Sequence, residues 1–183
     1  MSTGKPATIP RITKLNTLAR DAFLEIINIL FETAPPLANA LYAARPYASY
    51  EALIDQAEAS IGGLSRDERI QVINAHPRIG ASKATLSALS YAEQGYASQP
   101  PSAPLGKPLS EDEAVNTILA ELNKTYENQF GFKFVVFVAG RPRKQIIPVM
   151  EGRLNNQADQ ELETGLSEMM AIARDRLTKL PQE

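Results

Sequence analysis

The chain has 183 residues, 44% of them hydrophobic, with a formal charge of −2, a single histidine and no cysteine or tryptophan. That length supports one domain with a substantial core, and the composition excludes thiol catalysis, redox dithiols, disulfides and zinc cages built from several His or Cys. No basic stripe and no apolar run near the roughly 20 residues of a membrane span is present, so neither nucleic acid nor a bilayer is an expected partner.

Residues 1–11 are polar, contain Pro6 and Pro10, and read as a loosely held arm. From about Thr17, the residues Leu18, Phe23, Ile26, Ile27 and Leu30 recur at helical spacing until Pro35-Pro36 ends the run. A second helix covers Pro36 to Ala44, where proline suits the first turn, and Arg45-Pro46 closes it. A third runs from near Ser49 to Gly62-Gly63. The fourth opens on the capping box Ser65-x-x-Glu68 and leads to His76-Pro77. Proline disfavours helical dihedrals in the residue before it, so His76 is expected at or just beyond that helix's end.

A short helix follows from Ser90, with Glu93 as its capping-box partner. Residues 97–110 contain four prolines and almost no apolar weight, and read as a surface excursion. Ser110-x-x-Glu113 opens a long helix through Ile118, Leu119, Leu122 and Tyr126 to a C-terminal glycine, Gly131. Phe132 to Val138 is the one strand-like stretch, aromatic and β-branched. Lacking a second strand, it reads as a buried extended segment. Pro142 and Pro148 frame a turn, a helix carries Met150 and Leu154, and the last helix spans about Asp159 to Leu180. The expected fold is an all-α, single-domain bundle of seven or eight helices over residues 12–180, with one buried extended segment.

His76 is the only side chain whose unperturbed pKa lies near neutrality. Proton chemistry at pH 7 therefore falls to it or to a carboxylate, lysine or tyrosine shifted by its surroundings. Each candidate also has a plain explanation. A histidine at a helix C-terminus gains from the macrodipole, Glu93 completes a capping box, and Gln94 is then a first-turn residue. Arg174 and Arg176 lie in the last helix, where basic residues are ordinarily solvated. Arg153 bonding to helix-end carbonyls would account for its place near Gly152 and Asn155-Asn156.

The order of these elements is more specific than any one of them. Phe31-Glu32-Thr33-Ala34-Pro35 precedes Ala44-Arg45-Pro46-Tyr47, His76-Pro77-Arg78-Ile79-Gly80 and Ser90-x-x-Glu93-Gln94. Leu122-Asn123-x-x-Tyr126-x-x-x-Phe130-Gly131-Phe132-x-Phe134-Val135, Arg153-Leu154 and Ile172-Ala173-x-x-x-Arg176-Leu177 complete the series. Over roughly residues 12–180 this resembles the 2-oxo-4-hydroxy-4-carboxy-5-ureidoimidazoline (OHCU) decarboxylases of urate breakdown. The spacing between the HPRIG and SxxEQ elements is compact for that family, and the proline-rich stretch after Gly95 is longer than its usual connection.

The resemblance implies an all-helical enzyme that uses no cofactor and no metal and converts OHCU to (S)-allantoin and carbon dioxide. It implies His76 as catalytic acid/base and Glu93 as the carboxylate paired with it or with the substrate. Pro77, Ser90 and Gln94 become substrate contacts, the main chain of Phe134, Val135, Val136, Phe137 and Val138 lines the ring pocket, and Arg176 grips the substrate anion. A homodimer is a further implication. The chain ends carry neither a secretory signal core nor a peroxisomal tripeptide, so the cytoplasm is the expected location, with delivery to peroxisomes by a partner left open. Two alternatives compete. One is a related decarboxylase or hydrolase of another ureido or imidazoline acid. The other is a helical binding module without activity, against which the joint presence of His76, Glu93 and Arg176 argues.

Overall fold

This computed structural model describes residues 8–80, 93–94 and 111–182, and among these residues it has eight α-helices and one 3-10 helix. They are α1 (Ile12–Leu15), α2 (Arg20–Phe31), α3 (Pro35–Ala43), α4 (Tyr50–Gly62), α5 (Arg66–Asn74), α6 (Glu111–Phe130), the 3-10 helix Arg143–Gln145, α7 (Ile146–Arg153) and α8 (Ala158–Lys179). The fold is all-α, as the hydrophobic periodicity predicts. Among the described residues the only β-type pairing is an isolated bridge between Ile9 and Gln182. The proposed boxes at Ser90 and Ser110, and the excursion over 97–110, lie outside the described residues.

The chain forms two compact units: Met1–His76 with Ser167–Glu183, and Pro77–Leu166. In the first, α2 packs on α3, and α3 packs on α4 and α5. The sequence places the start of α2 near Thr17, but the helix begins at Arg20. Tertiary contacts use the residues before it. Arg45 Nη1 donates to the carbonyls of Asn16 and Leu18 at 3.2 and 2.9 Å, and the Asn16 side chain exchanges two hydrogen bonds with the Tyr47 backbone. Carbonyls engaged in this way are not left for a helical ladder. The arm expected over 1–11 ends early, because Ile9 is fully buried and its amide donates to Pro181 O at 3.1 Å. Tyr50 Oη adds a bond to Pro10 O at 2.7 Å.

Local signals set several helix ends. Ser49 Oγ caps α4 by accepting from Ala52 N. At α5 both halves of the Ser65/Glu68 capping box form, and these bonds hold the exposed Glu68 carboxyl below its ordinary pKa. In the second unit α6 buries Val115, Leu119, Asn123, Tyr126 and Phe130, a stripe at helical spacing. Gly131 follows at φ +80°, a left-handed backbone that glycine adopts without strain, and its amide caps Glu127 O at 2.9 Å. Pro148 does not frame a turn. It lies in the first turn of α7, where a missing N–H costs no helical bond.

Candidate functional site

His76 sits where the sequence places it, just past the end of α5. Its amide donates to Ile73 O at 3.2 Å, and the residue is only 3% exposed. Pro77, half-buried, begins the second unit, and the loop it opens is fixed from several sides. Gln94 grips that loop like a peptide partner: its Oε1 accepts from Gly80 N at 2.8 Å and its Nε2 donates to Arg78 O at 3.2 Å. Asn123 Nδ2 donates to the carbonyl between them, Ile79 O, at 2.9 Å. Arg78 forms a forked pair with Glu127, at 2.5 and 2.7 Å. Gly80 turns the chain at φ +73°, with its α-carbon so near α6 that a Cβ would lie 3.2 Å from that of Leu119.

Both ends of the Gln94 amide are thus engaged by main chain, which leaves one N–H and one oxygen lone pair beyond these two bonds. Its own carbonyl accepts from Arg143 Nη1 at 2.9 Å, and Arg143 also reaches Asp112 at 3.3 Å. The sequence reading overlooks Asn123 and Arg143 as loop holders. For Asn123 a signal exists, since it is the one polar residue on the buried stripe of α6, a position that demands a hydrogen-bond partner. For Arg143, 49 residues from Gln94 in the chain, no local signal exists. Glu93 lies beside this clamp and is half-buried, while Ser90 falls outside the described residues.

The strand-like stretch has neither turn nor bend from Lys133 to Val138 and runs extended without a paired strand among the described residues. Phe134, Val135, Val136 and Val138 are buried, at 1%, 3%, 8% and 7% exposure, and Phe137 is half-buried. Its carbonyls are partly engaged. Arg153 Nη1 donates to Val135 O at 2.9 Å, and Arg141 donates to Phe137 O at 2.6 Å and to Val138 O at 2.9 Å. Among the described residues no protein acceptor takes the amide protons of Phe134, Val135, Val136 or Val138. Buried main-chain donors are nearly always paired, so this row of N–H groups points to a ligand or water as partner.

Arg176 is 1% exposed and lies in the first unit. Its Nη1 donates to Ile29 O and Leu30 O at 3.2 and 3.4 Å, and its Nη2 pairs with Glu32 at 3.1 Å. These contacts satisfy carbonyls at the end of α2, where Glu32 takes the left-handed conformation at φ +53°. Arg174, two residues earlier, points to the surface and pairs with Asp55 and Glu58. Among the described residues no cluster of three or more His, Asp or Glu side chains could hold a metal ion, and no helix is long and apolar enough to cross a membrane.

The family described as "OHCU decarboxylase" matches residues 16–178. A protein from Homo sapiens named "Putative 2-oxo-4-hydroxy-4-carboxy-5-ureidoimidazoline decarboxylase" is 30% identical, covering 92% of this chain and 94% of its own. The Haloferax volcanii protein named as the decarboxylase of the same compound is 29% identical, with 92% and 94% covered. A "Uric acid degradation bifunctional protein" from Bacillus sp. is 28% identical over 94% of this chain, which spans 32% of that longer protein. The solved "Crystal structure of OHCU decarboxylase in the presence of (S)-allantoin" shares the fold, with a TM-score of 0.61 at 23% identity over 84% of this chain and 94% of that one.

Proposed function

The chain belongs to the OHCU decarboxylase family, and we propose that it decarboxylates 2-oxo-4-hydroxy-4-carboxy-5-ureidoimidazoline to (S)-allantoin in urate degradation. It is a carboxy-lyase. The observation that carries the reading at the level of the site is the extended segment Phe134–Val138, in which the buried amide donors of Phe134, Val135, Val136 and Val138 have no protein acceptor among the described residues. A ring rich in carbonyl and ureido groups offers the acceptors such a row of N–H groups needs.

The departing carboxylate sits on a ring carbon next to an imine carbon. As the C–C bond breaks, its electron pair moves into the C=N unit, whose nitrogen takes up a proton, and carbon dioxide leaves. The resulting enol becomes the amide carbonyl of the allantoin ring when its hydroxyl proton departs and a proton is delivered to one face of the former imine carbon. The substrate's own imine is the electron sink, so no cofactor enters the proposed step. The protein must orient the carboxylate, stabilise the enol and manage protons, which is positioning and electrostatic preorganisation.

In this reading His76 moves the proton, and Glu93 orients the imidazole or bonds the ureido edge. Pro77 and Ser90 contribute contacts. Gln94 acts through the backbone of Arg78 and Gly80, which its amide already holds. Arg176 supplies the fixed cation for the substrate anion. A homodimer in the cytoplasm completes the proposal, on the resemblance alone. The test is to generate OHCU from urate in situ and follow circular dichroism. Optical activity should appear faster than in the uncatalysed control, and equal rates would leave the fold without the activity. Activity is also expected to survive exhaustive chelation, since no step needs a Lewis acid. Loss with EDTA and recovery with one divalent ion would overturn that chemistry.

A further inference from the structure

A main-chain binding wall discriminates only as well as its register is fixed. In the second unit the wall is backed by a buried charged network. Arg153, the last residue of α7, donates through Nε to Glu161 Oε1 at 2.6 Å and through Nη1 to Val135 O at 2.9 Å. Its guanidinium lies 4.5 Å from the Phe134 ring centroid. Glu161, in the first turn of α8 and wholly buried, also accepts from Asn156 Nδ2 at 2.7 Å and from the Tyr126 hydroxyl. Burial, with the carboxylate second, pushes the Tyr126 pKa well up, so Tyr126 remains a donor. Its ring in turn meets Phe130, Phe132 and Phe134.

A buried ion pair is a poor device for stability alone, since apolar residues of like volume often do as well. What apolar residues cannot do is hold a carbonyl. In an extended chain the N–H and C=O of one residue share an edge, and those of its neighbours take the other. Holding Val135 by its carbonyl therefore turns the N–H and C=O of Phe134 and Val136 to the opposite edge. Those are groups for which no protein partner exists among the described residues.

We infer that Arg153 is a positioning residue for this reaction: anchored by Glu161 and Tyr126, it fixes Val135 so that Phe134 and Val136 present their main chain to the substrate's ureide edge. The inference rests on the reading of this segment as the substrate's binding wall. The double variant R153M/E161Q removes both charges, keeps volume and leaves an acceptor for Tyr126, so it separates anchoring from stability.

The measurements are melting temperature, titration calorimetry with (S)-allantoin and amide exchange across 132–138 with and without it. The expected result is a folded double variant whose allantoin Kd rises at least about tenfold, roughly the loss of one well-placed hydrogen bond. Exchange at Phe134 and Val136 should quicken, and kcat/KM should fall mainly through KM. R153K, which keeps the charge but has no fork to span Glu161 and Val135, should be weakened likewise. An unchanged Kd in either folded variant overturns the inference, and if R153M/E161Q does not fold, R153K decides. If allantoin protects no amide of 132–138 in the unaltered protein, the binding-wall reading itself has failed.

Discussion

Replacing His76 with asparagine is expected to lower kcat by about 10²–10⁴-fold, the usual range for losing a general acid or base, while the protein stays folded. No other histidine is present, and no other side chain has an unperturbed pKa near neutrality to take over the proton. The residue sits just past α5, whose C-terminal cap is formed by Ala75, and it bonds the helix end through its backbone amide to Ile73 O, a contact that asparagine keeps. Asparagine keeps a donor and an acceptor but cannot exchange a proton near pH 7. A melting temperature a few degrees lower is tolerable, since about 1 kcal/mol shifts a chain of this size by roughly 2–4 °C. Circular dichroism of the variant and allantoin formation from OHCU are the two measurements. A folded variant that keeps more than about a tenth of the activity would remove His76 from the proton transfer.

The parts of this molecule that were legible in the sequence are those fixed by neighbours in the chain. The Ser65/Glu68 box, Gly131 behind α6 and the proline at the start of α3 each act within one turn. The stretch Phe132 to Val138 also reads correctly as largely buried and, among the described residues, outside any sheet, because its composition suits burial and the sequence offers no second strand-like stretch. What was hidden is held across long separations. Arg45 takes carbonyls 27 and 29 residues away and so delays α2. The loop that Gln94 holds lies 14 and 16 residues back, out of reach of any local pattern. Arg153 looks like a helix-end cation, yet its partners lie 18 residues before it and 8 after. Local pattern carries no information about which distant acceptor a guanidinium will find.

Arg176 and Arg174 offer the sharpest contrast between two like residues on one helix, and opposite results are expected from them. Two positions apart, they lie about 200° apart around α8. The Arg174 side chain is 46% exposed, and its partners Asp55 and Glu58 are 72% and 55% exposed. Surface pairs of this kind contribute about 0–1 kcal/mol, so Arg174→Ala should keep its kinetics and nearly its melting temperature. The Arg176 side chain is 2% exposed and spans Ile29 O, Leu30 O and Glu32 at once, which a single ammonium cannot do.

Arg176→Lys should therefore loosen the end of α2 and lose on the order of 1.5–3 kcal/mol, the scale of a hydrogen bond to a charged group. Under the proposed role in anion binding, KM should rise at least about tenfold in the folded protein, the equivalent of about 1.4 kcal/mol of lost binding. Thermal melts and steady-state kinetics on both variants settle the matter together. A lower melting temperature with normal KM in Arg176→Lys would make this arginine a lock on α2 and nothing more. A crippled Arg174→Ala beside a normal Arg176→Lys would place the substrate anion on the other face of the helix.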